Sequence, residues 1–479
     1  MKTRDFILLT LILLVAFVVR LYKIDAPVAD FHSWRQADTA AVGRNLERSG
    51  FNLMMPTYDD LSNLQSGTDN PEGLRFVEFP LYNAVFAGLH SLMPFFALET
   101  WARIVAVLFS LLCIASLYYI ALMEAGRTAA IFTAITYSIM PFFVYFSRVI
   151  LPETPAVALV VFALFLLHLY TTEKNKKIGT IWFVFSLISF AASLLIKPTT
   201  IFYGLPLFML FVRKYKYSIP KKLHVILYFV LAAVPLLMWR YYITKFPEGV
   251  PASNWLFTMV NTSEGQKEIF MRPAFFRWMF FERLNNMILG GYLAGFFLLG
   301  ILRKQKTYLP LSIIAAGFIY IFVFQGGNVQ HEYYQVIAFP AIALAVGLGV
   351  GLIIESTKTF LHPVITTPII ILIFSASFLF SWYKVNGYYV IPQDLLLMAK
   401  IIQTFTKPTD KVVADRMGDT TLLYLSDRKG APLLYREPME MKKMGYQYIL
   451  TDKREIIEKL SLLKFEKLFE NSQFALFAL

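Results

Sequence analysis

A single cysteine, Cys113, stands in 479 residues, and it lies inside an apolar run. That excludes a disulfide framework and a cysteine metal site. Charge is scarce as well: 16% of residues are Asp, Glu, Lys or Arg, against 57% hydrophobic and 16% aromatic. This balance lies outside the range of soluble globular domains and describes a polytopic membrane protein. No internal repeat or low-complexity tract is present. The one His-Glu pair, His331-Glu332, has no second histidine at i+4 and so lacks zinc spacing. A net charge of +13 could address nucleic acid, but the cations sit in short clusters between apolar runs, as the positive-inside rule requires. No nucleic-acid partner is expected.

What is there is a series of apolar runs, each suited to crossing roughly 30 Å of hydrocarbon. They are 6–22, 104–123, 128–146, 154–172, 178–196, 223–241, 287–302, 307–324, 334–354 and 363–382, with the shorter run 199–212 making eleven. Residues 6–19 follow Lys2 and Arg4 like a signal-peptide core. No small-residue cleavage site comes before Arg20, so the run is read as a retained first span. Residues 81–96 could be a twelfth span, and charge parity decides against it. If they do not cross, the clusters Lys174/Lys176/Lys177, Arg213/Lys214/Lys216/Lys221/Lys222 and Arg303/Lys304/Lys306 all fall on the side of Lys2 and Arg4. The segment is therefore expected to lie as an amphipathic helix at the outer interface.

The expected fold is an α-helical polytopic membrane domain, residues 1–384, followed by a small extracytoplasmic α/β domain, residues 385–479. In the latter, 411–415 and 446–451 read as strands and 394–405 and 453–462 as helices. No glycine-rich phosphate loop follows the strand candidates, which argues against a nucleotide site there. Outer-face loops fall at 23–103, 147–153, around Lys197-Pro198, 242–286 and 325–333. The first exceeds fifty residues, and a loop that long is more often functional than connective.

Ionisable residues at membrane depth are costly, so those at outer span ends are candidates for function. They are Asp30, Asp38, Glu78, Arg103, Arg148, Glu153, Lys197 and His331, with Tyr333 and Tyr334 beside the histidine. Their common depth points to one site. Each has a plainer reading too. Asp30 could be a solvated loop acid or the lead-in to a helix from Ser33, at the N-cap position, to Arg48, with Gly50 just beyond its end. Asp38 could face solvent from that helix. Glu78 could anchor an interface, although an acid between Phe76-Val77 and Phe79 needs a partner. Glu153 could merely favour a helix dipole. Lys197 could snorkel, and the two tyrosines could belong to an aromatic belt.

Trp34-Arg-Gln-Ala-Asp-Thr-Ala-Ala, Gly43-Arg-Asn-Leu, Ser49-Gly50, Glu78-Phe-Pro-Leu-Tyr82, Arg103, Ser147-Arg148, Glu153 and Lys197-Pro198, in that order, resemble the C-type (GT-C) membrane glycosyltransferases. The similar branch holds the protein O-mannosyltransferases and the lipid A aminoarabinose transferase. The resemblance covers roughly residues 1–382 and omits the α/β domain. It implies a polyprenyl-phosphate-linked sugar as donor, a first-loop carboxylate as catalytic base, a second acid in the next outer loop and basic residues on the lipid phosphate. Asp30 matches the first acid, Glu153 the second, with Glu for the commoner Asp, and Glu78 the acid before a proline-containing helix start. Two departures stand out. Phe79 replaces a lysine of the aminoarabinose branch, and the Asp30-to-Ser49 spacing is longer than in that branch, which leaves Asp38 a rival for the base.

The expected activity is inverting sugar transfer from a polyprenyl-phosphate donor to a glycan, lipid or protein acceptor at the outer face of a membrane, that of a bacterial inner membrane. Phosphate is a good leaving group that needs cationic stabilisation, and the acceptor hydroxyl needs a base. Sugar, acceptor and any divalent cation are not legible. The rival class is a lipid or glycan transporter or flippase, but transporters place polar groups near the midplane and repeat their halves. Reporter fusions test the topology. A reporter after Val385 is expected to score outside the cytoplasm, and a cytoplasmic signal overturns the charge-parity argument.

Overall fold

The computed structural model describes residues 3–251, 269–356 and 362–479. Residues 252–268 of the expected outer loop 242–286 thus lie outside the described residues. The chain divides into two compact units. One comprises Met1–Ile24, Arg103–Tyr241 and Trp255–Gly387, the other Asp25–Ala102, Tyr242–Asn254 and Tyr388–Leu479.

The first unit is helical wherever the sequence is apolar. Helices run over Thr3–Arg20, Leu98–Ala125, Arg127–Ile139, Glu153–Thr172, Lys176–Ile196, Gly204–Tyr215, Leu223–Ile243, Ala294–Leu302, Leu309–Val323, Phe339–Ser356 and Pro363–Val385. Six segments among the described residues are long and apolar enough to cross a membrane: Leu98–Ala125, Glu153–Thr172, Lys176–Ile196, Leu223–Ile243, Glu332–Ser356 and Val364–Phe405. The other apolar runs hold shorter or broken helices. The run 128–146 divides at Met140, which is extended at φ −62° and ψ 127°, ahead of a six-residue helix Pro141–Phe146. Proline supplies no N–H and pushes the residue before it out of the helical region.

Close approach of backbones holds these helices together. A Cβ on Gly300 would lie 1.8 Å from the Ala345 carbonyl oxygen, and one on Gly349 would lie 1.8 Å from that of Phe296. Helices Ala294–Leu302 and Phe339–Ser356 therefore touch backbone to backbone, the arrangement small residues permit where lipid removes the hydrophobic drive between helices. Elsewhere the Glu124 carboxylate meets His168 Nε2 and the Arg213 guanidinium, each at 2.6 Å, and accepts from the Thr307 hydroxyl. One buried acid so ties together four segments of the chain.

The second unit is built on a five-stranded sheet: β1 Lys411–Asp415, β2 Gly430–Ala431, β3 Tyr446–Thr451, β4 Glu466–Glu470 and β5 Ala475–Ala478, in the order β2-β1-β3-β5-β4. β1 lies parallel to β2 and β3, while β5 is antiparallel to β3 and β4. Helix Gln393–Phe405 covers one face through Leu395, Met398 and Ile402, and helix Arg454–Leu462 covers the other through Leu460. The strands Lys411–Asp415 and Tyr446–Thr451 coincide with the apolar runs read from sequence. β2, β4 and β5 had no such signal, being two residues long, charged or at the chain's end.

The same unit takes in the long first loop. Its helix Ser33–Arg48 packs on helix Leu81–Leu92. The N-cap of the former is His32, left-handed at φ 56°, and not Ser33. Ser33 is already helical, and its hydroxyl is bonded to that of Thr421 at 2.9 Å. Gly50 follows the helix end at φ +76°, as a terminating glycine does. Leu81–Leu92 has 12 residues, about 18 Å of helix, too short to cross roughly 30 Å of hydrocarbon. It buries Tyr82, Asn83, Phe86 and Ala87 and exposes Val85 and Leu92. Asp60 pairs in parallel with Gly430, so the loop extends the sheet beyond β2 and covers that edge.

Gly349→Leu is expected to cost upward of about 3 kcal/mol by overpacking against backbone that cannot yield. Gly295→Ala, with open space around its Cβ, is expected to be neutral. Thermal unfolding in detergent reads both, and a Gly349→Leu protein as stable as wild type would refute the close packing.

Candidate active site

Of the residues singled out above, Asp30, Asp38 and Glu78 belong to the second unit, and Arg103, Arg148, Glu153, Lys197, His331, Tyr333 and Tyr334 to the first.

Asp30 is buried, 3% exposed. The residue after it, Phe31, donates its N–H to the Tyr388 carbonyl at 3.0 Å and stacks on the Tyr388 ring at 4.0 Å and 11°. His32 then reverses the chain into the helix. One turn on, the fully buried Gln36 returns its Nε2 to Asp30 Oδ1 at 2.6 Å and to the Phe31 carbonyl at 3.1 Å. A neutral donor thus fixes the carboxylate against its own backbone. Arg35, the neighbour of Gln36, forms an ion pair with Glu78, which supplies the partner that Glu78 required.

Asp38 is buried too, and its contacts are of another kind. It pairs with Arg75 at 3.0 Å and accepts from the Thr420 hydroxyl at 2.7 Å. Burial raises its pKa above the usual carboxylate range despite Arg75. The Arg75 guanidinium lies 4.8 Å over the Tyr58 ring. The Tyr58 hydroxyl in turn donates to Asp60 at 3.3 Å. Asp60 also accepts from Ser62 N–H at 2.8 Å, and burial lifts its pKa to about 6. Nearby, Arg44 pairs with Asp59 at 2.5 Å and with Asp427 at 3.0 Å, and Arg48 meets Asp427 in a two-pronged pair. Arg48 and Arg44 lower the Asp427 pKa, the Arg48 hydrogen bonds most.

In the first unit Glu153 begins helix Glu153–Thr172 and is fully buried, with Lys197 Nζ 2.5 Å from Oε1. Among the described residues no hydrogen-bond donor completes either Glu153 oxygen. Lys197 closes helix Lys176–Ile196 in an extended conformation ahead of Pro198. Its ammonium lies 5.4 Å from the centre of the Tyr334 ring. Tyr334 stacks on Tyr333 at 4.6 Å, and His331 stacks on Tyr333 at 5.3 Å and 10°. The structure therefore brings Glu153, Lys197, Tyr334, Tyr333 and His331 into one chain of contacts. Arg103 and Arg148 converge elsewhere in the unit. Arg103 donates to the Ile24 carbonyl at 3.1 Å and Arg148 to that of Tyr22, the residues just past the first helix.

Several residues were not found from sequence. Arg20 lies within the apolar run 6–22, and it is wholly buried and donates to the Ser147 hydroxyl and to the carbonyls of Ala16, Ser138 and Tyr137 at 2.8–2.9 Å. A basic residue at a span end, followed by more apolar chain, was the available signal. Arg283 holds the loop before His331, donating to Asn328 and Val329 carbonyls and pairing with Glu332 at 3.0 Å. Arg75 and Thr420 carried no signal, because their partners are remote in sequence, and Gln36 carried none because Asp30 lies before the helix, off its i, i+4 spacing.

This fold is similar to that of the C-type (GT-C) membrane glycosyltransferases. Residues 78–239 match the family described as dolichyl-phosphate-mannose-protein mannosyltransferase. Among solved structures the chain is similar to ArnT from Cupriavidus metallidurans bound to undecaprenyl phosphate, with 14% identity, a TM-score of 0.65, and 100% of this chain and 98% of that one covered. It is similar also to the oligosaccharyltransferase AglB from Archaeoglobus fulgidus in complex with an inhibitory peptide and a dolichol-phosphate, with 12% identity, a TM-score of 0.60, and 94% and 69% covered. The arabinofuranosyltransferase AftD from Mycobacteria aligns at 11% identity and a TM-score of 0.54, with 100% of this chain and 42% of that one covered. No curated protein matches the chain.

Asp60 makes the second unit sensitive to pH. Its folded pKa of about 6 lies above the ordinary 3.8, so protonation favours the fold. That contribution is complete below the ordinary value and is lost as pH rises through the folded one. Wild type is expected to gain up to about 3 kcal/mol from this group between neutral pH and pH 4. Asp60→Asn should flatten that part of the profile, and an unchanged pH slope in thermal unfolding would remove Asp60 as its source.

Proposed function

We propose that this protein is an integral-membrane glycosyltransferase that moves a sugar from a polyprenyl-phosphate donor to an acceptor hydroxyl, with inversion, at the extracytoplasmic face. The observation that carries the reading is the pairing of Glu153 with Lys197 beside Tyr334, within a segment that matches a family of lipid-phosphate-sugar transferases. The undecaprenyl phosphate of the ArnT structure and the dolichol-phosphate of the AglB structure support a donor of the same kind.

Asp30 is the base in this reading. Its carboxylate takes the proton of the acceptor hydroxyl as the acceptor oxygen bonds to the anomeric carbon. The bond from that carbon to the phosphate oxygen breaks, and the polyprenyl phosphate leaves with the electron pair. Attack opposite the leaving group inverts the centre. Lys197 meets the phosphate charge, where a cation stabilises the departing oxygen more effectively than a general acid does. Glu153 holds Lys197 in place, and His331, Tyr333 and Tyr334 supply further donors. Arg103 and Arg148 brace the chain beside the first helix, and Glu78 acts through Arg35. Asp38 pairs with Arg75 and accepts from Thr420, and it remains the rival for the base.

Purified protein assayed against a panel of polyprenyl-phosphate sugars tests the activity. Asp30→Asn is expected to lower turnover by roughly 10²–10⁴-fold with donor binding kept. Lys197→Ala is expected to weaken donor binding chiefly. Full turnover in Asp30→Asn would refute the assignment of the base, and unchanged donor affinity in Lys197→Ala would remove the lysine from the phosphate site.

A further inference from the structure

We infer that the C-terminal α/β residues 388–479 are the positioning element of Asp30, acting through Ala29, Tyr388, Thr420 and Thr421, with Gln36 as the last link to the carboxylate. The inference rests on the reading of Asp30 as the base.

Four separate contacts reach the short stretch that carries Asp30. Ala29, its neighbour, is buried within the hydrophobic core formed by Leu395, Met398, Ile402, Val412 and Leu422. Phe31 is fixed by backbone and ring to Tyr388, where the C-terminal segment begins. The Thr421 hydroxyl meets that of Ser33. The Thr420 hydroxyl spans the Trp34 carbonyl at 3.2 Å and Asp38 Oδ1 at 2.7 Å. Asp30 is thus flanked on both sides by residues anchored in the α/β fold, while Gln36 rides on the helix that Thr420 and Thr421 pin. Thr420 and Thr421 belong to the turn that leads from β1 into the helix Thr421–Ser426. In sheets of this type the turns after parallel strands are where ligands bind. Here that turn grips a piece of its own chain.

A carboxylate held by packing at Ala29, a backbone bond at Phe31 and an amide at Gln36 stays in one orientation. Rigid placement is worth much of the rate, since an error near 1 Å can cost about 10²-fold. The α/β residues are then required for turnover although they touch no substrate.

Turnover and donor KM are measured in the full-length protein for Gln36→Met, Thr420→Val and Thr420→Ser, with Lys467→Ala on the exposed face of β4 as control. Gln36→Met and Thr420→Val are expected to lower kcat roughly 10- to 100-fold with donor KM within about twofold of wild type. Thr420→Ser should restore most of the rate, and Lys467→Ala should not differ from wild type. If Thr420→Val does not fold, Thr421→Ala, which breaks the Ser33 contact alone, takes its place. Wild-type kcat in Gln36→Met and Thr420→Val, or a loss falling wholly on KM, overturns the inference when Asp30→Asn is inactive. An active Asp30→Asn instead overturns the reading of the base.

Discussion

A charge taken out of water has to be met by an opposite charge or by dipoles aimed at it, and the polar architecture of both units follows from how this is done. Arg20 is met by three backbone carbonyls and a serine hydroxyl. Lys197 is met by a carboxylate and faces the ring of a tyrosine. Glu124 collects an imidazole, a guanidinium and a hydroxyl. Each solution joins segments distant in sequence, so the groups that cost most to bury are also the ones that specify which helices lie together.

The acids divide by the kind of partner they have. Asp38, Glu78 and Glu153 each face an arginine or lysine. Asp60 is held by a tyrosine hydroxyl and a backbone N–H, and Asp30 accepts from the Gln36 amide.

The fold was legible in the sequence where physics acts locally. Apolar runs became helices, Gly50 ended the helix that begins at Ser33, and the short apolar runs at 411–415 and 446–451 became strands. The site was legible only as a set of costly residues in the right places. Glu153, Lys197, His331 and the two tyrosines could be named because burial of such groups in an apolar chain needs a reason. That Arg35 serves Glu78, or Arg75 serves Asp38, could not be read, since such partners are chosen by tertiary packing and leave no spacing. Ser33 as N-cap failed for the same reason: its hydroxyl serves Thr421.

The pairing of Asp60 with Gly430 and of Asp38 with Thr420, 382 residues away, sets an order on the protein's assembly. As the chain is synthesised, the first loop emerges early, and its acids stay hydrated because the groups that will bury them do not yet exist. Domains generally fold as units in the order they are made, but this unit is closed by a stretch made long after its first. Contacts of such separation are slow to form. The long first loop is an open half until residues made 382 positions later reach it.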